Sequence, residues 1–175
     1  MQRAKSSPNK ENVIASKSPQ FDEVCRAELP VLYRIAQKLT LNPTKAEDLV
    51  GQTLYLAAKA WPQFDGQYPR SWMIKIMRNE FLGAKRTLAG KAQNEELTEF
   101  IQSKENVSDA ALSHVDHERI LQELEKLPEE YRLAITLCDI EELSYEEAAI
   151  AMDVPMGTVR SRLFRGRHLL RDRLM

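Results

Sequence analysis

Residues 144–174, SYEEAAIAMDVPMGTVRSRLFRGRHLLRDRL, restrict the fold more than any other stretch of the chain. Ser144 and Glu147 stand at capping-box spacing, where each side chain satisfies a free backbone N–H of the first helical turn. Tyr145, Ala148, Ala149 and Met152 then recur at helical spacing as a small apolar face, and Ile150 falls off it. Residues 153–157 break the pattern. Pro155 suits the first turn of a second helix, where no backbone N–H is required. Two helices joined by so tight a turn predict a helix-turn-helix, whose second helix can enter a DNA major groove.

At 100° per residue, that second helix divides into two sides. Val159, Leu163, Gly166 and Leu170 form one stripe, with Met156 and Leu174 at its edge. Arg160, Ser161, Phe164 and Arg165 lie beside and away from it, and Thr158 and Arg162 lie further round. A guanidinium can fork onto the O6 and N7 edge of guanine or neutralise a phosphate. Taken alone, such a helix also reads as a solvated basic face. The capped partner helix, the turn and the apolar stripe together favour the DNA-reading alternative.

A length of 175 residues allows one medium domain or two small ones. No apolar run is long enough to cross a bilayer, and the N-terminus lacks the hydrophobic stretch of a signal peptide. The expected compartment is therefore the cytoplasm. Cys25 and Cys138 lie in apolar helical patterns far apart in sequence, which predicts buried thiols. The net charge of −1 conceals a strong segregation. Residues 66–91 carry +5, residues 92–153 carry −13 and residues 154–175 carry +5. Two basic blocks on an acidic body predict two nucleic-acid contacts.

Residues 1–20 are polar and are expected to form a disordered tail. Residues 21–41 are helical by spacing, with Val24, Leu29, Leu32, Ile35, Ala36 and Leu39 on one face and Pro30 as a point of kinking. Asn42-Pro43 reads as a turn and Thr44 as the cap of the next helix, with Glu47 three positions on. That helix runs to about Trp61 with Ala46, Leu49, Val50, Leu54, Ala57 and Trp61 inward. Glu47, Asp48, Gln52, Tyr55 and Lys59 lie on its outer face. In the loop PQFDGQY, Phe64 and Tyr68 either pack back onto the helices or offer a stacking face to an unpaired base.

The helix from Pro69 to about Arg86 is the second basic element. Met73, Ile74, Ile76, Met77, Phe81 and Ala84 share its core side. Lys75, Arg78, Lys85 and Arg86 share another face with Asn79 and Trp72, and Leu82 intrudes there. Cations hold a phosphate backbone, an amide bonds a base edge, and an indole stacks on an unstacked base. Residues 89–114 lose the pattern and read as a flexible linker. His114 and His117 have no cysteine nearby and read as surface residues, so neither a metal nor a cofactor is expected. Residues 115–127 form a helix with Ile120, Leu121, Leu124 and Leu127 inward, and Pro128 opens another containing Tyr131, Leu133, Ala134, Leu137, Cys138 and Ile140. The predicted fold is all-α: two small helical domains, residues 21–88 and 115–175, joined by that linker.

Three stretches now carry a family likeness: AEDLVGQTLYLAAKAW, SWMIKIMRNEFLGAKR, and the run from LEKLPEEYR through LSYEEAA to GTVRSRLFRGR. Over about residues 21–88 and 115–174 the chain resembles the extracytoplasmic-function (ECF) group of bacterial sigma-70 factors. The resemblance implies an N-terminal sigma-two-like domain that binds the clamp of core RNA polymerase and opens the minus-ten element. It implies a C-terminal sigma-four-like domain that reads the minus-thirty-five element. By the family's motifs, Glu47, Asp48, Gln52 and Tyr55 would meet the polymerase, and Phe64, Tyr68, Trp72, Lys75, Arg78 and Asn79 the minus-ten element. Thr158, Arg160, Ser161, Arg162, Phe164 and Arg165 would meet the minus-thirty-five element. An anti-sigma factor is an implied partner, and the implied protein has no catalytic residues, because the polymerase does the chemistry. The family usually reads DLVQETF where this chain has DLVGQTL at residues 48–54, so an acidic residue is absent and Gly51 weakens the helix. Two alternatives are a sigma-like mimic that sequesters an anti-sigma factor, and a simple helix-turn-helix regulator. The first would not need both basic faces, and the second leaves the helix at 69–86 unexplained.

Overall fold

A computed structural model describes residues 18–89 and 117–175, with side chains for residues 20–87 and 117–175. The polar tail, most of the expected linker and His114 lie outside the described residues. Seven α-helices joined by short turns make up the described residues. Three come first: α1 (Ser18–Thr40), α2 (Pro43–Ala60) and α3 (Pro69–Ala89). A 3₁₀ turn, Trp61–Gln63, closes α2.

Helix α1 continues through Pro30 and buries Val31, Leu32, Ile35, Ala36 and Leu39. Leu29, expected inward, is exposed, and Val31 takes its place. Helix α2 is not capped by Thr44. Asn42 is the cap: its side-chain oxygen accepts from Lys45 N at 2.9 Å, and Pro43 occupies the first helical position. Proline suits that position because its missing N–H would have no intrahelical partner. The inward stripe of α2 is Ala46, Leu49, Val50, Ala57 and the closing Trp61, joined by Thr53, whose hydroxyl donates to Leu49 O at 2.7 Å. Leu54 is only half-buried. In α3 the buried residues are Ser71, Met73, Ile74 and Met77; Ile76 and Phe81 are half-buried and Ala84 is exposed.

The second set comprises α4 (His117–Glu125), α5 (Glu129–Ile135), a single π-helical turn (Thr136–Ile140), α6 (Tyr145–Met152) and α7 (Met156–Leu174). The π turn adds a residue to the helical register, with Glu141 N donating to Thr136 O at 2.9 Å. Ile140 therefore finishes exposed although it continues the apolar spacing. Cys25 and Cys138 are free and half-buried; burial, followed by Asp139, pushes the Cys138 thiol up to about 11. The capping box on α6 forms as expected, with Glu147 N donating to Ser144 Oγ at 3.2 Å and Ser144 N donating to Glu147 Oε2 at 2.9 Å. Its buried face is Ala148, Ala151 and Met152, so Tyr145 is exposed and Ala149 only half-buried. Asp153 ends α6 in the left-handed conformation, φ 52°, and Pro155 caps α7.

The two helical sets pack on each other. Helix α3 lies along α6, and α1 touches α5 and the π turn. The buried residues of both sets form one continuous hydrophobic cluster. Two polar groups stitch the seam. Arg132, buried in α5, donates from Nε to Lys38 O at 2.7 Å, and from Nη1 to Glu125 O and Leu127 O at 3.0 and 2.8 Å. It thus satisfies carbonyls at the C-terminal ends of α1 and α4, where helix dipoles favour a cation. Glu141 is buried with its carboxylate held bidentately by Arg34 of α1, at 2.7 and 2.6 Å.

Candidate nucleic-acid interface

On α7 the apolar stripe is seated against the rest of the second set: Val159, Leu163, Gly166 and Leu174 are buried, and Leu170 is half-buried. The crossing at Gly166 is close. A Cβ there would stand 3.0 Å from Ile135 Cδ1 and 3.1 Å from Tyr131 Cβ. This seating turns Arg160, Ser161, Phe164 and Arg165 outward together, with Phe164 61% exposed. The Arg160 guanidinium lies 5.8 Å from the centre of the Tyr145 ring, a cation–π contact that steadies it. Two other arginines of α7 are engaged. Arg162 is half-buried and 3.2 Å from Glu130, and Arg167 grips Asp139 at 3.0 and 2.6 Å. That grip raises the Arg167 pKa. Thr158 is half-buried and its carbonyl accepts from Ser161 Oγ at 3.0 Å. The outward face of α7 thus offers two guanidinium groups, a hydroxyl and an aromatic ring, a set that can meet phosphates and base edges in a major groove.

The second basic face is built on α3 and the loop before it. Phe64 packs back onto the helices, its ring stacked 5.0 Å from Trp61 and tilted against Trp72 at 4.6 Å. Phe21 closes the ring cluster 5.0 Å from Trp61. Trp72 is thereby held half-buried, with only part of its indole free. Tyr68 behaves differently: it is 37% exposed and takes φ 49°, a left-handed conformation costly for a tyrosine. Of these two aromatic residues, Phe64 packs onto the helices and Tyr68 stays exposed. Asn79 is exposed, whereas Lys75 and Arg78 are half-covered by the second helical set. Lys75 Nζ lies 2.9 Å from Asp153 Oδ1, and its hydrogen bond, then its charge, lowers the Asp153 pKa. Burial, and next the charge of Arg162, lowers the Arg78 pKa. Lys85 Nζ lies 2.7 Å from Glu129 Oε2.

On α2, Glu47, Asp48, Gln52 and Tyr55 are exposed in a row, and Lys59 Nζ lies 4.4 Å from the Tyr55 ring centre. Asp48 and Gln52 also line a cavity of about 790 Å³ between the two helical sets, with Glu129 and Arg132 opposite. Among the described residues no group of three or more His, Cys, Asp or Glu is placed to hold a metal ion. Sequence reasoning missed Arg132, Glu141 and Asp153, whose partners lie in the other half of the chain. For Asp153, which meets Lys75, the opposed charges of residues 66–91 and 92–153 were the available signal; for Arg132 and Glu141, which meet Lys38 and Arg34 of α1, there was none.

Comparison with known families separates the two halves along the same line. The family described as Sigma-70 region 2 matches residues 24–90, and that described as Sigma-70, region 4 matches residues 117–170. The chain belongs to the ECF group of the sigma-70 family. It is 35% identical over 161 residues to the ECF RNA polymerase sigma factor SigE of Mycolicibacterium smegmatis, covering 89% of this chain and 62% of that protein. It is 32% identical over 141 residues to the ECF RNA polymerase sigma-E factor of Salmonella typhimurium, covering 73% of this chain and 72% of that one. Among solved structures, the sigma factor RpoE in complex with the anti-sigma factor NepR from Bartonella quintana superposes with a TM-score of 0.70 at 31% identity. That match covers 89% of this chain and 96% of the other. CnrH in complex with the cytosolic domain of CnrY shares the fold, with a TM-score of 0.61 at 21% identity. Among the described residues, no helix of this ECF family member is long and apolar enough to cross a membrane.

Proposed function

We propose that the chain is a specificity subunit of bacterial RNA polymerase, acting in the cytoplasm by binding core enzyme and directing it to promoters. The carrying observation is that one chain pairs a helix-turn-helix, its reading face open, with a second helix that combines cations, an amide and an indole. In this proposal Arg160, Ser161, Phe164 and Arg165, flanked by Thr158 and Arg162, read the minus-thirty-five element. Lys75, Arg78, Asn79 and Trp72, with Tyr68 at the loop, hold the opened minus-ten strand, and Phe64 supports Trp72. Capturing an unstacked base costs a few kcal/mol, which phosphate contacts and stacking offset. Glu47, Asp48, Gln52 and Tyr55 form the surface for the polymerase clamp. The functional units are residues 21–88 and 115–175, joined by the segment between them. The polymerase performs the chemistry. The relative RpoE is seen with an anti-sigma factor, and we infer that an anti-sigma protein also regulates this chain. The test is a holoenzyme assembled from purified core polymerase and this chain. Asp48→Ala combined with Tyr55→Ala should weaken co-elution with core while leaving binding to duplex promoter DNA in place. Loss of DNA binding alone would overturn the assignment of α2.

A further inference from the structure

Four side chains beside the reading face of α7 form a chain of contacts. Asp139, in the π turn, is gripped by Arg167 at 3.0 and 2.6 Å. Arg167 also hydrogen bonds the side chain of Tyr145, at the start of α6. The Tyr145 ring in turn lies 5.8 Å from the Arg160 guanidinium. Arg160 and Arg167 stand two turns apart on α7, on the same side of it at 100° per residue. One tyrosine thus spans them, its oxygen bound to Arg167 and its ring beside Arg160. All four residues are exposed, so none of them is spent on filling the core.

The two arginines are held in chemically different ways. A carboxylate consumes N–H donors, and Arg167 gives two of its N–H groups to Asp139. A ring engages the face of a guanidinium and leaves its N–H fork free. Arg167 is therefore the anchor, and Arg160 is the group left able to meet a base. Arg165, the other outward arginine, has neither a carboxylate nor a ring beside it among the described residues. We propose that Tyr145, tethered by the Asp139–Arg167 pair, is the positioning residue for Arg160 and sets how sharply Arg160 discriminates its base pair. The proposal rests on the reading of α7 as the face that meets the upstream element. Ordering one long side chain on binding costs about two- to twelvefold in affinity. Arg160 enters the groove with that ordering already done against a tyrosine ring, whereas Arg165 is ordered only by the DNA. Asp139 then acts on base recognition through Arg167 and Tyr145.

The test uses the full chain bound to core polymerase and duplex DNA with a randomised upstream element, from which bound sequences are counted. Arg160→Ala and Arg165→Ala each mark the base pair whose preference they remove. Tyr145→Ala should lower the preference at the Arg160 base pair by about two- to twelvefold and leave that at the Arg165 base pair unchanged. Tyr145→Phe keeps the ring and should retain part of the preference. Asp139→Asn loosens Arg167 and should cost about as much as Tyr145→Phe, and the two together no more than either alone, because they break the same link. These milder variants carry the test if Tyr145→Ala folds poorly. Adding Tyr145→Ala to Arg160→Ala should change nothing further at that base pair. Equal losses at both base pairs would mean a general loosening of the helix-turn-helix and would overturn the positioning role, as would an unaltered preference in Tyr145→Ala. If the parent shows no preference, or Arg160→Ala removes none, the assignment of α7 as the reading face fails and the positioning role fails with it.

Discussion

Arg162 and Arg165 stand three residues apart on α7 and meet different surroundings. Arg165 faces outward, whereas Arg162 is half-buried against Glu130 of α5. Arg165→Ala is expected to weaken promoter binding by about 1–3 kcal/mol, roughly five- to 150-fold, through loss of its fork onto a base pair. Titration of the holoenzyme on upstream-element DNA measures this, and core binding should not change. Arg162→Ala should loosen the contact of α7 with α5 and weaken promoter binding less than Arg165→Ala does. Helical angles alone separated Arg160 and Arg165 from the buried stripe, because that stripe is continuous through Val159 and Leu163. They did not reveal the fate of Arg162, whose partner lies 32 residues earlier. Tyr145 was misplaced for a related reason. Its spacing is apolar, yet its ring is spent beneath Arg160 rather than in the core.

At the scale of the helix, two glycines give opposite expectations. Gly51 is exposed in α2 and a Cβ there meets nothing within 4 Å. Gly51→Ala should stabilise the chain by about 0.5–1 kcal/mol, seen as a raised Tm, through helix propensity and a less flexible unfolded chain. Gly166→Ala should destabilise by about 1–3 kcal/mol, because Ile135 and Tyr131 already crowd the place of the new methyl. Thermal denaturation of both variants checks the pair. The boundaries of α6 were legible because the capping box is local to residues 144–147. The start of α2 was misread because Asn42 and Thr44 are both good caps, and Pro43 between them decides in favour of Asn42. The π turn at Thr136–Ile140 has no local signature in the sequence, and it moved Ile140 out of the apolar stripe.

Across the whole molecule, the sequence disclosed two helical sets and two basic faces but not their mutual packing. Periodicity reports which side of a helix is buried, not which helix covers it. Arg132 shows what was hidden. It sits in the LPEEYR motif as if it belonged to the second set alone, yet it also caps the C-terminal end of α1. Arg132→Ala should cost about 3 kcal/mol by orphaning buried carbonyls, and chemical denaturation should show the loss in both halves at once. Unchanged melting of residues 18–89 beside a weakened second set would mean the seam contributes little.

Transcription reconstituted from purified core polymerase, this chain and a library of promoter fragments bears most directly on the assignment as a promoter-specificity subunit. Discrete transcripts that require the chain, that start at sites sharing an upstream and a downstream element, and that are lost with Arg165→Ala are the expected result. Absence of any chain-dependent transcript, together with failure of the chain to co-elute with core polymerase, would contradict it.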